Sequence, residues 1–574
     1  RQSRSQVMAV CAVRPIERVL VFVRTAASRE AYAKEMEKTL GIEVRPVPTA
    51  VGLRPGLSRA PGPRSPGGAG VTAATGSDRT GAPPVHITFL GGLGEIGRNC
   101  AAVELEGRIM LVDCGLMFPD TDMLGIDLVL PDFTWLRERA DQIEGCILTH
   151  GHEDHVGALA YALQEFSFPL IGSELTLGLA RGRIEEARLL GKTDFVVVRD
   201  GERRTFGPFD CEFLPTTHSV PHAFATVLHT PQGVIVHTGD FKIDLTPVDG
   251  RLADLSRIGG LASSGDGIRL LLSDSTNAEE HGHSRSEKAV GSVLYDLMHD
   301  HRGRRIITAC FASHIHRVQQ IADAAIEFGR VIAPLGRSMR RNIAMARQMG
   351  ILDIPEASLI DIEAIDDHEP GKVCVISTGS QGEPMSALAL LGGNENRWLK
   401  ISRDDTVILS SHPIPGNENA VSRVIDNLVR LGAQVIHSGI EDVHATGHAK
   451  QEELKLMLSV ARPEWMVPVH GESRHLVAHA GLARVMGVPA GHVQRSRDLQ
   501  ADPQLLHRRF HRFFEHPEVG RVPYSGPAFR IRGYDNGPRG AAPLLGGESF
   551  EVLSEELGFE ADRIADLMAS GVLS

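Results

Sequence analysis

The sequence predicts an α/β protein: an α/β or layered αββα core that carries a second, inserted α/β domain and is flanked by terminal segments. Three observations predict it. From Val85 to about Arg497, short strand patterns alternate with helical ones. About two hundred residues of further strand and helix pattern separate LLSDSTN, with Asp274, from the strand that reaches His470, far more than a lid loop needs. Residues 51–84 are rich in Gly, Pro, Ser, Arg and Ala without apolar period and read as a flexible linker, which marks a boundary. A chain of 574 residues exceeds one core, and roughly three to four domains are expected.

The elements follow in order. RIMLVD, GCILTH, GVIVHTGD, IRLLLSD, KVCVISTG, DTVILSSH and WMVPVHG are short apolar runs bounded by turn residues, and read as buried strands. HVGALAYALQEF, HRVQQIADAAIEFG, NAVSRVIDNLVRLG and RHLVAHAGLARVMG carry helical apolar spacing, the last three each closed by glycine. In VHITFLGGLGEIG, residues Gly92, Gly94 and Gly97 have G-x-G-x-x-G spacing, and Asp113 follows at about the offset of a ribose-binding carboxylate. A dinucleotide turn must run straight into a helix that holds the pyrophosphate. Here RNCAAVELEGRIMLVDCG follows instead, two extended runs with a turn signal at Glu106 and Gly107. The glycines therefore read as a tight loop that lets backbone approach a site.

Bulk composition narrows the function. A net charge of −12 argues against sequence-independent wrapping of nucleic acid, so a polyanion must be met by a local basic groove or by metal ions. Seven scattered cysteines without C-x-x-C suggest reduced, buried thiols and a cytoplasmic setting. No apolar run approaches a bilayer span. The 26 histidines include a dense group in THGHEDH, at the end of a strand and the start of a helix. His150 and His152 project from one side of that turn while Asp154 and His155 open the helix on the other, which suits two adjacent metals. Four ligands are too few for two metals. His218, Asp240 and His470, each ending a strand-like run, are the candidates for the rest.

Four loops of the insertion are dense in donors suited to phosphate: FASHIHRVQQ, with Ser313, His314, His316 and Arg317; STGSQGEPMSAL, with Ser380, Gln381, Gly382 and Glu383; SSHPIPGNE, with Ser411 and His412; and HATGHAK, with His444, Thr446, Gly447 and His448. Arg302, Arg304, Arg305, Arg337, Arg340 and Arg341 suggest a track for an RNA backbone.

HGHEDH, TTHS, HTGDFK and VHGE, preceded by GGLGEIGRN and VDCG, resemble the metallo-β-lactamase fold. The full order of motifs, over roughly residues 85–497, is similar to the ribonuclease J family of the β-CASP branch. The resemblance implies an αββα sandwich with an inserted α/β β-CASP domain and two zinc ions, with Mn2+ or Mg2+ as substitutes in activity. The first ion falls to His150, His152 and His218, the second to Asp154, His155 and His470, with Asp240 bridging and Asp113 bracing the metal loops. It also implies His448 as the acid for the leaving oxygen and Asp274 as the residue that positions water or His448, with Asp154 in the catalytic set. TGSQGE and HATGH would seat a 5′-monophosphate end. Thr446 stands where the family usually has Ser, and His314 where Asn is common. Both keep a donor, so altered affinity is expected rather than lost chemistry.

The implied activity is 5′-to-3′ exonucleolytic and endonucleolytic hydrolysis of single-stranded RNA in RNA processing and decay. Homodimers or larger assemblies and an RNA-degradation complex are the family's partners. The domain reading is 1–50, 51–84 (linker), 85–280, 281–440 (β-CASP), 441–498 and 499–574. The first segment resembles a Rossmann-like fragment of ornithine cyclodeaminase, and the last resembles the end of family III CoA-transferases. Two competing readings are a small-molecule hydrolase of the same fold and an inactive fusion that retains RNA binding.

Overall fold

The computed structural model describes residues 82–572 apart from 120–122, 124, 384, 415, 416, 495, 528, 530, 532 and 545, together with 20, 21, 49 and 50. The chain divides into two units, Pro61–Val493 and a second made of Arg1–Ala60 with Gln494–Ser574.

In the larger unit, two six-stranded sheets face each other. One runs Val85–Gly91, Cys100–Leu105, Arg108–Val112, Ile143–Ile147, Leu170–Gly172, Phe195–Val197 across its width. The other runs Arg203–Phe206, Phe209–Pro215, Phe224–Thr230, Gly233–His237, Ile268–Asp274, Trp465–Val469. Each begins antiparallel and ends parallel. Alternation along the strands sends Val103, Met110 and Val112 of one sheet and Phe213, Leu228 and Leu270 of the other into one shared core. The opposite faces carry helices, through Leu159, Leu163 and Leu177 on the first sheet and Leu454, Met457 and Leu458 on the second. This is the expected αββα sandwich. The glycine-rich loop after Val85–Gly91 leads into a strand hairpin, as its local pattern requires. HVGALAYALQEF forms two short helices, Glu153–Val156 and Leu159–Glu165, instead of one. The break falls at Gly157, where a Cβ would lie 2.5 Å from the Glu153 carbonyl oxygen.

The insertion leaves the second sheet after Ile268–Asp274 and returns through Trp465–Val469, its parallel neighbour. Between them lies an all-parallel five-stranded sheet, ordered Val331–Leu335, Val373–Ser377, Arg305–Ala309, Asp405–Leu409, Gln434–His437. Both of its faces are buried under helices, which explains its continuous apolar strands. Gly178 and Gly182, one helical turn apart on Glu174–Glu186, let that helix meet the helix Arg337–Gln348. A Cβ at either would lie 2.7 Å from Met345 Sδ or 2.3 Å from the Arg341 guanidinium carbon.

A buried charge network ties the two domains together. Arg317 is fully buried; it donates to Glu287 at 2.5 Å, to the Ser410 carbonyl at 3.1 Å and to the Val443 carbonyl at 2.8 Å. Lys242, also buried, lies 3.4 Å from Glu287 and 3.6 Å from Asp244. Two cations and two carboxylates thus close on one another. Burial disfavours the charged Glu287, but Arg317, His314 and Lys242 outweigh it and hold the carboxyl well below its usual range. The stabilisation is therefore present above the ordinary glutamate value of about 4.3 and is lost as pH falls below it. Glu287→Gln leaves Arg317 buried without its counter-charge and should cost about 3–5 kcal/mol near neutral pH. Chemical denaturation reads this directly, and the gap between variant and parent should narrow in acid.

Of the smaller unit, the described part includes helix Pro503–His507, the antiparallel hairpin His511–His516 with Gly520–Ser525, and helix Ala561–Ala569. Leu20–Val21 pairs antiparallel with Thr49–Ala50. The other residues of segment 1–50, read as a Rossmann-like fragment, and linker residues 51–81 lie outside the described residues. Among the described residues no helix is long and apolar enough to cross a membrane.

Candidate active site

The site lies where strands of both facing sheets end. Ile143–Ile147 runs into His150, His152, Asp154 and His155; Phe209–Pro215 leads to His218; Gly233–His237 leads to Asp240; Trp465–Val469 leads to His470. In the first cluster, His152 Nδ1 lies 3.0 Å from His150 Nε2 and 3.1 Å from His218 Nε2. Three imidazole nitrogens so close together, with Asp240 Oδ2 at 3.7 Å from His150 and 3.9 Å from His218, are spaced as ligands around one cation. In the second cluster, Asp154 Oδ2 lies 3.0 Å from His470 Nε2 and 3.5 Å from His155 Nε2, while Asp240 Oδ2 lies 3.2 Å from His155 and 3.5 Å from His470. Each set of ligand atoms fits within 4.8 Å, and Asp240 belongs to both. Its Oδ2 is buried and has no hydrogen-bond donor, an arrangement that a pair of cations would satisfy.

Electrostatics agree with that fit. Burial pushes His150 and His218 well below the ordinary imidazole value and His152 down to about 4, leaving neutral lone-pair donors. Burial also opposes charge on His155 and His470, but Asp240 and its neighbouring carboxylates prevail and hold both above the ordinary value. A bound cation would supply the positive charge that these carboxylates favour in the second cluster.

A surrounding layer orients the ligands. Asp113 Oδ2 accepts from His155 Nδ1 at 2.8 Å, and Asp113 also receives the Thr149 amide and hydroxyl. His218 Nδ1 donates to the Gly447 carbonyl at 2.7 Å, which turns Nε2 inward. Gly447 is required there, because a Cβ would lie 2.6 Å from His218 Cε1. Asp113→Asn should weaken metal retention about 10–100-fold, measured by chelator competition.

Beside the ligands, His448 Nδ1 donates to Asp274 Oδ2 at 2.8 Å. Burial works against a charged His448, yet Asp274 outweighs it and raises the imidazole above its ordinary value. Two residues that sequence reasoning missed hold this pair. Thr276 Oγ1 lies 2.7 Å from His470 Nδ1 and donates to Asp274 Oδ1 at 2.8 Å, and Asn277 donates to Thr446 Oγ1 at 2.9 Å and to the His448 carbonyl at 3.1 Å. Both follow Asp274 in LLSDSTN, and their proximity to a strand end was the available signal.

The insertion turns the same end of its sheet to this site. Phe311, beside Ser313, lies 6.2 Å from the His152 ring, measured between centroids. His444 stacks on His412 at 6.2 Å. Glu383 Oε2 is buried and has no partner. Other expected phosphate ligands are committed elsewhere. His316 Nε2 lies 3.3 Å from Asp249 Oδ2. Gln381 donates to the His412 carbonyl and accepts from the Ile414 amide, so it braces the loop around Ser380 and Gly382. Arg317 is a correction: its guanidinium points into the interdomain network and meets no open cleft. Most of the arginine track is likewise committed to groups of the chain itself, while Arg337 is exposed. Arg304 and Arg305 bind the Asp405 backbone and carboxylate at the starts of the strands, away from the donor loops. Arg340 pairs with Glu363 and Arg341 with Glu186, and Arg302 lies over Phe328.

Fold and site define a metal-dependent hydrolase of the metallo-β-lactamase type with an inserted domain. Family models match in the same order: "Metallo-beta-lactamase superfamily" over 93–278, "Ribonuclease J, beta-CASP domain" over 303–428 and "Zn-dependent metallo-hydrolase RNA specificity domain" over 433–492. Similar proteins include ribonuclease J of Mycolicibacterium smegmatis, 44% identical over 71% of this chain and 72% of the relative. Ribonuclease J of Mycobacterium tuberculosis is 46% identical, and ribonuclease J 1 of Streptococcus pyogenes 42% identical, over the same shares. A solved structure of a protein of unknown function from Enterococcus faecalis shares the fold, with a TM-score of 0.51 at 14% identity, over 68% of this chain and 94% of that one. The chain belongs to the ribonuclease J family and is a metal-dependent ribonuclease.

Proposed function

We propose that the chain uses two zinc ions to hydrolyse single-stranded RNA, both 5′-to-3′ from 5′-monophosphate ends and internally, in the cytoplasm. The observation that carries this reading is the buried Asp240 carboxylate shared between two ligand clusters, with the His448–Asp274 pair beside it. Imidazole-rich sets with few carboxylates favour zinc. Six buried, unbridged cysteines accord with a reducing compartment.

When bound, the two cations supply a nucleophile from water near neutral pH and offset the charge that develops on the phosphoryl oxygens. The chain's own residues do the rest. Asp113 and Gly447 fix His155 and His218 with their Nε2 lone pairs inward. His448 keeps its Nδ1 proton on Asp274 and delivers the Nε2 proton to the departing 3′-oxygen, which Asp274 favours by raising the imidazole's affinity for protons. In this reading His444, Thr446 and the loop residues around Ser380 and Ser411 receive the 5′-phosphate nucleotide.

Single-stranded RNA bearing either a 5′-monophosphate or a 5′-triphosphate tests it. Mononucleotides released faster from the monophosphate form are expected. No cleavage of either by protein carrying two zinc equivalents would overturn the reading in favour of a small-molecule hydrolase.

A further inference from the structure

Residues 505–539 stand apart from the rest of the sequence. They hold seven arginines against three acidic residues in a chain of net charge −12, and six aromatic residues where the chain average is 5%. The hairpin His511–His516 with Gly520–Ser525 organises this composition. Phe513 and Arg521 fall on one face of it, and the guanidinium lies 5.2 Å above the ring. Phe513 remains 53% exposed.

Beside this face opens a cleft of about 760 Å³, lined among others by Arg509, His511, Arg512, Phe513, Phe514 and Arg539. Among the described residues, Asp535 is the one acidic residue lining it, and Arg512 pairs with that carboxylate, so the remaining charge of those lining residues is positive. Arg509 and Arg539 are exposed. Arg509 sits at φ 52°, a conformation that ordinarily favours glycine. His511 Nε2 is shielded from solvent and has no partner.

An exposed aromatic ring beside arginines in an open cationic cleft is what single-stranded nucleic acid binds, by stacking a base on the ring and placing phosphates on the guanidiniums. In the catalytic unit, Arg304, Arg305, Arg340 and Arg341 are committed to carboxylates and carbonyls of their own chain. We propose that the cleft at Phe513 is a second RNA-binding surface, separate in its residues from the catalytic site, which holds single-stranded substrate through Phe513, Arg509 and Arg539. It takes from the family assignment only that RNA is this chain's substrate.

The full-length protein is titrated with labelled, cleavage-resistant 2′-O-methyl oligouridylate of about thirty nucleotides, long enough to span a stacking surface. Arg509→Glu with Arg539→Glu should weaken binding at least about tenfold and reduce the slope of log affinity against log salt by about 1.4, two phosphates' worth. Phe513→Ala should weaken binding about tenfold with the slope unchanged. Cleavage of an RNA of about five nucleotides, too short to need a second surface, should stay within about twofold of the parent in both. Parental affinity and slope in both variants would overturn the proposal, as would displacement of the long RNA by a free nucleoside diphosphate at equal affinity. If charge reversal perturbs folding by circular dichroism, the Gln replacements at both positions carry the same expectation. Failure of the parent itself to cut the short RNA would count against the ribonuclease reading, independently of the binding result.

Discussion

Asp240→Ala should strip at least one metal equivalent from the purified chain and lower RNA hydrolysis by at least about a thousandfold. The expectation rests on position. Asp240 Oδ2 lies within 3.9 Å of ligand nitrogens in both clusters, is buried and has no donor of its own. Without it, the first cluster is three neutral imidazoles with no anionic ligand, and the second keeps only Asp154. Elemental analysis after dialysis gives the readout that activity alone cannot. Two retained equivalents at the parental rate would remove Asp240 from the metal centre.

His448→Ala should lower RNA hydrolysis by about two to four orders of magnitude while leaving metal content at the parental value. The same variant should hydrolyse a p-nitrophenyl phosphodiester nearly as fast as the parent, because that leaving group departs without a proton. The split follows from geometry: His448 is held by Asp274 at 2.8 Å and lies outside the His150 and His155 clusters, although its ring nitrogen also comes close to Asp240 and His470, so metal content is the deciding readout. Equal losses on both substrates would mean that His448 acts through the metals instead. Asp274→Asn should shift in the same direction, with some added cost at His470, since Thr276 bridges the two.

Much of the site was legible because it is local. Three imidazoles and a carboxylate within six residues of one turn, at a strand end, announce metal chemistry whatever surrounds them. The strand-helix alternation and the length of the insertion likewise predict the layers, since apolar periodicity reports burial directly. Asp113 was legible only as a matched motif; the structure supplies its reason, a carboxylate that accepts from both Thr149 and His155.

The residues that misled were those whose role depends on a distant partner. Arg317 reads as a phosphate ligand in FASHIHR, yet Glu287, thirty positions earlier, and Val443, far later, meet its guanidinium in the interior. Arg305 and Arg340 read as a basic track until Asp405 and Glu363 are folded against them. Thr276 and Asn277 have no distinctive chemistry in sequence and gain a role only when the strand ending at Asp274 brings them beside His470 and His448. The sequence by itself thus determined the layered α/β architecture and the inserted domain, and it pointed to the HGHEDH turn as a place for metal chemistry, because these are written in short-range spacing. Tertiary structure decided which charges face substrate and which neutralise one another. A long cationic side chain goes to whichever carboxylate the fold places within reach, and no local pattern encodes that distance.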